Sequence, residues 1–180
     1  MIRIIAGKYR SRLLEQPSKQ TTRPTTDRAR EGLFSSIQFN IEGKEFLDLF
    51  SGSGAFCLEA LSRGASHAVC VEKDKKAYET IIKNKKNLKE ANLEVHWTDC
   101  FNYLKNNFFK QFDYIYLDPP YKLRKELYQA IDMISTNNML KDGGYLIIET
   151  DLDNFEYESN GYKVVKTKKY GKIYFYYLQH

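Results

Sequence analysis

The sequence predicts an α/β fold with a mostly parallel sheet that ends in an antiparallel hairpin, and three observations carry that prediction. From Glu45 onward, short apolar, β-branched and aromatic runs alternate with longer amphipathic ones, the order that crossover connections and a sheet covered on both faces require. The run Phe112 to Leu117 stops abruptly at Asp118-Pro119-Pro120-Tyr121. Neither proline donates a backbone hydrogen bond and each fixes φ, so a buried strand must turn there. Finally, Gly161 to Lys169 and Ile173 to Leu178 flank Tyr170-Gly171-Lys172 and read as two strands joined by a tight turn.

Taken in chain order, Arg3 to Arg10 looks like a strand turning at Gly7, with a second short strand at Arg12-Leu13-Leu14. Pro24 precedes Thr25, Thr26 and Asp27, polar capping groups at a helix start. Ala29, Leu33, Phe34 and Ile37 give that helix one apolar face, with Arg28 and Arg30 expected off it. Strands are expected at 45–50, 67–72, 94–98, 112–117 and 143–149, and helices near 55–63, 75–90, 100–108 and 123–136. One domain of 180 residues follows, with a basic extension and helix over 1–40 and an α/β core over 41–180.

Composition narrows the function classes. No run of 18 apolar residues exists to span a membrane, and the opening Met1 to Gly7 turns polar too soon for a signal peptide. Cys57, Cys70 and Cys100 are odd in number and widely spaced, and His67, His96 and His180 are scattered, so neither a disulfide framework nor a metal site is expected. These traits suit a reduced, cytoplasmic setting. The net charge of +5 is unevenly placed: residues 1–30 carry eight basic and two acidic side chains, a balance of +6 that leaves −1 for the rest. A basic arm on a near-neutral body is the footprint of a polyanion binder, although a solvated basic tail has the same composition.

The carboxyl edge of such a sheet is where ligands bind. Asp118-Pro119-Pro120-Tyr121 sets a carboxylate, a backbone carbonyl and an aromatic face side by side there. These are acceptors and a stacking surface, suited to a planar ring bearing an amine, with no nucleophile among them. Asp48-Leu49-Phe50-Ser51-Gly52-Ser53-Gly54 sits where the first core strand meets the next helix, and its glycines let the backbone turn tightly against a ligand. Cys57 stands where a dinucleotide fingerprint has its third glycine. Asp48 suits a cationic group, and Glu72, 20 positions after Gly52, occupies the usual place of an acid that binds ribose hydroxyls. Asp99 follows the third strand, placed to accept from an adenine amine. Ammonium, diol and adenine together describe S-adenosylmethionine better than NAD.

On these residues the chain resembles the class I S-adenosylmethionine-dependent methyltransferases. It is most similar to the bacterial family that methylates the N2 amine of a guanine in small-subunit (16S) ribosomal RNA. The resemblance rests on Arg3 to Arg10, Arg23-Pro24-Thr25-Thr26-Asp27-Arg28, Asp48 to Gly54, Glu59 to Ala65, Leu117 to Tyr121 and Tyr170-Gly171. Ser51, Phe56 and Cys57 depart from the family pattern. The resemblance implies a Rossmann-like, seven-stranded sheet with a C-terminal antiparallel hairpin and a small N-terminal β extension. It implies cofactor contacts from Asp48, Phe50, Ser51, Gly52, Gly54, Glu72, Lys73, Asp99 and Cys100, with Arg23 and Thr25 in a segment that closes over the site. Asp118 and the Pro119 carbonyl would accept the target amine's N–H bonds, Pro120 would fix the turn and Tyr121 would stack on the base. Arg3, Lys8, Arg10, Arg12 and Arg28 would touch RNA, with a monomer as the acting unit and no metal required. Two other readings stay open at this point: an adenine-amine methyltransferase acting on DNA or RNA, and a non-catalytic RNA-binding module.

Overall fold

The computed structural model describes residues 1–18 and 25–180. The main sheet has eight strands in the order β5-β4-β3-β6-β7-β10-β9-β8. Its five parallel strands are β3 (Glu45–Asp48), β4 (His67–Glu72), β5 (Leu93–Trp97), β6 (Phe112–Leu117) and β7 (Leu140–Thr150). The antiparallel end consists of β8 (Glu158–Ser159), β9 (Tyr162–Tyr170) and β10 (Ile173–Gln179). From β3 the chain proceeds outward through β4 and β5, then returns to the other side of β3 as β6 and β7. The strand order therefore reverses between β3 and β6, and a crevice must open outside their carboxyl ends.

Core strands carry apolar side chains on both faces, and helices cover both. On one side α1 (Asp27–Ile37), α2 (Ala55–Ser62) and α3 (Lys75–Leu88) pack on Phe46, Ala68, Tyr114, Phe175 and Tyr177. On the other, α4 (Cys100–Asn106) and α5 (Arg124–Thr136) pack on Leu47, Val69, Ile115, Leu146 and Leu178. Helix starts follow their capping chemistry: Thr26, Asp74 and Asp99 each accept a hydrogen bond from the backbone N–H three residues on. The seven expected strands are joined by an eighth, β8, whose two residues are too few to leave a pattern; Asn160 and Gly161, at φ 53° and 82°, turn the chain from it into β9.

Two expectations need correcting. The opening is not a strand from Arg3 to Arg10: β1 spans only Ile2–Arg3 and pairs with β2 (Leu13–Leu14). Beyond Arg3 the backbone turns to α2 instead. Ile5 and Ala6 donate to the Glu59 carboxylate at 2.8 and 3.1 Å, and Lys8 and Tyr9 donate to the carbonyl and hydroxyl of Ser62. Gly7 makes the approach possible: at φ 87° a Cβ there would sit 1.9 Å from the Ser62 carbonyl oxygen. The second correction concerns Arg30, which is 1% exposed rather than solvated. It lies three, four and seven positions before Leu33, Phe34 and Ile37, on their own stripe.

Arg30 is tolerated there because its guanidinium donates to the Arg3 carbonyl and Asp27, with Nε 3.7 Å from Glu59. Glu59 is fully buried and also accepts from Arg63 at 3.0 Å. Removing one partner of such a group strands the other charges. Glu59→Ala should therefore lower unfolding free energy by about 3–5 kcal/mol in denaturant titrations; a loss within about 0.5 kcal/mol would show that the extension docks without it.

Candidate active site

Outside the carboxyl ends of β3 and β6 lies a cavity of about 690 Å³, lined by residues from every parallel strand end, from α1 and from the N-terminal extension. A volume of this size accommodates a nucleoside-sized ligand. Nine of the eleven residues expected at the cofactor line it: Thr25, Asp48, Phe50, Ser51, Gly52, Glu72, Lys73, Asp99 and Cys100. Gly54 does not. At φ 80° it is the left-handed N-cap of α2, so it shapes the loop that the other residues present. Arg23 and Pro24 lie outside the described residues.

The glycine turn is braced from β4. The Ser51 backbone N–H donates to the Val71 carbonyl, and its hydroxyl donates to the Asp48 carbonyl while accepting from the Val71 N–H. Glu72 accepts from Gly52 at 2.8 Å and from Asp74 at 2.9 Å, which ties its carboxylate to the turn it faces. Burial pushes the Glu72 carboxyl up, opposed by these backbone donors. Asp48 is buried and accepts from Phe50; burial drives its pKa up to about 8, and Glu72 and Glu149 add repulsion. A buried acid held this far above its usual range is matched to a cationic partner. Asp99 is engaged as the cap of α4, both oxygens accepting from Asn102, which leaves a lone pair on each. Cys57 donates to the Val69 carbonyl at 3.3 Å and seats α2 on β4 in place of a glycine.

Beside this turn, Asp118, Pro120 and Tyr121 face the same cavity. Pro119 is buried and is not among the lining residues, so it fixes the turn from behind. Phe56 and Tyr116 stack at 4.2 Å and 13° and form an aromatic wall. The Tyr116 hydroxyl donates to Glu149 at 2.6 Å, and the Thr25 hydroxyl donates to the same carboxylate at 2.9 Å. Burial and Glu149 hold the Tyr116 phenol well above its ordinary value. Glu149, Phe56 and Arg30 also line the cavity, a position that the sequence pattern does not assign to them. The one signal for Glu149 is a charge inside the apolar run Leu146-Ile147-Ile148-Glu149.

The expected RNA-contacting arm does not line the cavity. Arg3, Arg10, Arg12 and Arg28 are exposed, and Arg12 donates to the Asn87 carbonyl. Lys8 is paired with Glu90 at 3.1 Å, so its charge is already partnered. The extension nevertheless reaches the site at its ends. Ile2 lines the cavity, and Asn84 binds both the backbone of Glu15 and the Ser53 carbonyl, which sets Gln16 and Pro17 at the rim.

Comparison with known proteins places this arrangement. A family model described as conserved hypothetical protein 95 matches residues 2–179. The chain is 37% identical over 153 residues to the ribosomal RNA small subunit methyltransferase D of Escherichia coli, covering 85% of this chain and 76% of that one. It is equally identical to a putative rRNA methyltransferase of Bacillus subtilis, covering 83% of each. Among solved structures, a putative methyltransferase of Escherichia coli superposes with a TM-score of 0.87 at 32% identity over 99% of this chain and 97% of that one.

The burial of Asp48 has a consequence for stability. The folded state binds its proton more tightly than the unfolded state, so stability of the ligand-free protein should fall as pH rises from about 4 to 8. The slope should reach at most about 1.4 kcal/mol per pH unit for one proton and level off above. Asp48→Asn keeps the acceptor for Phe50 and should flatten that fall, leaving the smaller share from Glu72. Denaturation midpoints across this range test it; the same slope in the variant would locate the titrating group elsewhere.

Proposed function

The chain belongs to the conserved hypothetical protein 95 family, that of the small-subunit ribosomal RNA methyltransferases D, and from that premise we propose that it transfers a methyl group to the exocyclic N2 amine of a guanine in 16S ribosomal RNA. It is an S-adenosylmethionine-dependent RNA methyltransferase. The observation that carries the finer reading is that Asp118, Pro120 and Tyr121 open into the same cavity as Asp48, Glu72 and Asp99. An amine-binding box and a set of acids spaced for a nucleoside amino acid share one chamber.

The residues present fit the cofactor. Asp48 offers a buried carboxylate to its ammonium, Glu72 a carboxylate to its ribose diol, and Asp99 the remaining lone pairs of a capping carboxylate to its adenine. When bound, S-adenosylmethionine supplies a methyl on a sulfonium, already activated for transfer, so alignment and exclusion of water are what the protein must add. An exocyclic amine is a poor nucleophile because its lone pair is delocalised into the ring. Asp118, by accepting an N–H bond, draws that nitrogen toward tetrahedral geometry and takes the proton as positive charge develops. Tyr121 stacks on the base once it has left its neighbours. Guanine presents two adjacent donors, N1–H and the amine, to an acceptor-only carboxylate. Glu149 is occupied by Thr25 and Tyr116, and so holds the start of α1 over the chamber. The protein acts in this reading as a single-domain monomer in the cytoplasm.

Purified protein given labelled cofactor and small-subunit particles or their RNA should yield N2-methylguanosine on nucleoside digestion; N6-methyladenosine would transfer the site to the other amine. Asp118→Ala should leave cofactor affinity within a few-fold while lowering transfer by roughly two to four orders of magnitude. Near-normal turnover would remove Asp118 from the chemistry.

Glu72→Ala acts on binding instead. Losing a charged partner for the diol costs about 1.5–3 kcal/mol, a weakening of roughly 10- to 150-fold. Calorimetry with unchanged cofactor affinity would place the ribose elsewhere.

A further inference from the structure

The residues from Tyr162 to Lys172 include five lysines and no acid. The ion pairs of the chain engage Lys8, Lys44, Lys83, Lys110 and Lys141, and among the described residues none reaches a lysine of β9. β9 and β10 slip register between Tyr177 and Leu178, so that Val165 is the extra residue of a bulge. The slip decides which way the lysines point. Lys168 and Lys166 lie opposite Phe175 and Tyr177, on the α1 side of the sheet, and beyond the bulge Lys163 lies opposite Gln179 on that same side. In a regular pairing of the same residues Val164 would lie opposite Gln179 and Lys163 would face the other way. Lys166 is fixed further, its ammonium 4.4 Å from the centre of the Tyr177 ring and 5.8 Å from that of Tyr145.

The stripe leads to the active site. Tyr170 ends β9 and pairs with Ile173, which lines the cavity. Tyr170 also packs so closely on α1 that a Cβ at Gly32 would lie 2.1 Å from its ring, and Thr25, just before α1, lines the cavity too. From Lys163 to Tyr170 the strand covers roughly 23 Å at about 3.3 Å per residue. We infer that Lys163, Lys166 and Lys168 form an RNA-docking rail that holds the phosphate backbone flanking the target nucleotide and guides it to the cavity mouth. β8 pairs only with Tyr162 and Lys163, so the rest of β9 is an open edge, where lysines also discourage strand pairing between copies. That role needs charge anywhere along the edge, with no bulge to gather three on one face.

The inference rests on the proposed RNA methylation, and the test separates the two. RNA affinity is measured at several salt concentrations for the full chain and for Lys163→Gln/Lys166→Gln/Lys168→Gln. Cofactor affinity and transfer to the particle are followed in parallel. The slope of log K against log salt should shrink by roughly 0.7–0.9 for each phosphate no longer neutralised. KM for RNA should rise at least tenfold, with cofactor affinity unchanged. The corresponding triple arginine variant keeps the charge and should keep both slope and affinity, which guards against a fold defect in the glutamine variant. An unchanged slope would overturn the rail, including the case where the glutamine variant only aggregates more readily. Unchanged binding to naked RNA with impaired transfer to particles would overturn it too and assign the face to a ribosomal protein. If the unmodified chain methylates no ribosomal RNA, it is the functional reading that fails.

Discussion

One buried carboxylate, that of Glu59, holds groups from three separate parts of the chain: the N–H groups of Ile5 and Ala6, the Arg63 guanidinium and, at 3.7 Å, the Arg30 guanidinium. Ser62, Glu90 and Asn84 hold other parts of the extension, but Glu59 alone joins the extension, α1 and α2 at one group. Gly7 must lie against the end of α2, and Arg30 must occupy a position that its helix otherwise gives to Leu33, Phe34 and Ile37. With the knot made, Arg30 reaches the Arg3 carbonyl, and both Ile2 and Arg30 come to line the cavity. A buried ion cluster is weak evidence for stability in itself, because desolvation offsets much of the attraction. Here it specifies an arrangement: it fixes where the opening segment and α1 meet the core, and so where one wall of the cavity stands.

The opposite wall is set by charge of one sign. Every parallel strand carries an acid at or just past its carboxyl end: Asp48, Glu72, Asp99, Asp118 and Glu149, all facing the cavity. Most are held by donors that cost no mobility, such as the N–H groups of Phe50, Gly52 and Asn102 and the hydroxyls of Tyr116 and Thr25. Asp48 accepts one backbone bond, and its burial, with Glu72 and Glu149 nearby, makes its proton hard to remove. A chamber built this way favours a ligand that brings its own positive charge. It also disfavours a bare polyanion at depth, so RNA must approach from the rim and insert only a base.

The strands, helices and hairpin were legible because each carries its own period and its own stop. The prolines after Leu117, the glycines after Phe50 and the capping Thr26, Asp74 and Asp99 all act locally. The acids at or just past the ends of β3, β4, β5 and β6 were legible for the same reason, since strand ends are readable and the edge they share follows from the alternation. What escaped depends on distant partners. Arg30 shares the helical spacing of Leu33, but a charge is tolerated on that stripe only because the Arg3 carbonyl, Asp27 and Glu59 meet it. The opening segment looked strand-like because its donors go to a carboxylate more than fifty positions away. Glu149 lies next to the end of β7 with no glycine turn or proline stop to mark it, and only the fold brings Tyr116 and Thr25 to it.

Charge counting shows the same limit from the other side. By sequence the cationic surface belonged to residues 1–30, with a balance of −1 elsewhere. In the folded chain part of that arm is already neutralised, Lys8 by Glu90 and Arg30 by Glu59 and Asp27. The body with the slightly negative total carries a lysine stripe along β9 that no ion pair engages among the described residues, with Glu158 of β8 the one acid opposite it, across from Lys163. Net charge adds residues that never meet, while a polyanion senses only what is exposed, unpaired and on one face. A one-residue bulge at Val165 determines that last condition, and it follows from how β9 pairs with β10, not from which residues β9 contains. The same lysines in a regular strand would be divided between the two sides of the sheet. Substrate approach in this fold is therefore encoded in strand register as much as in composition.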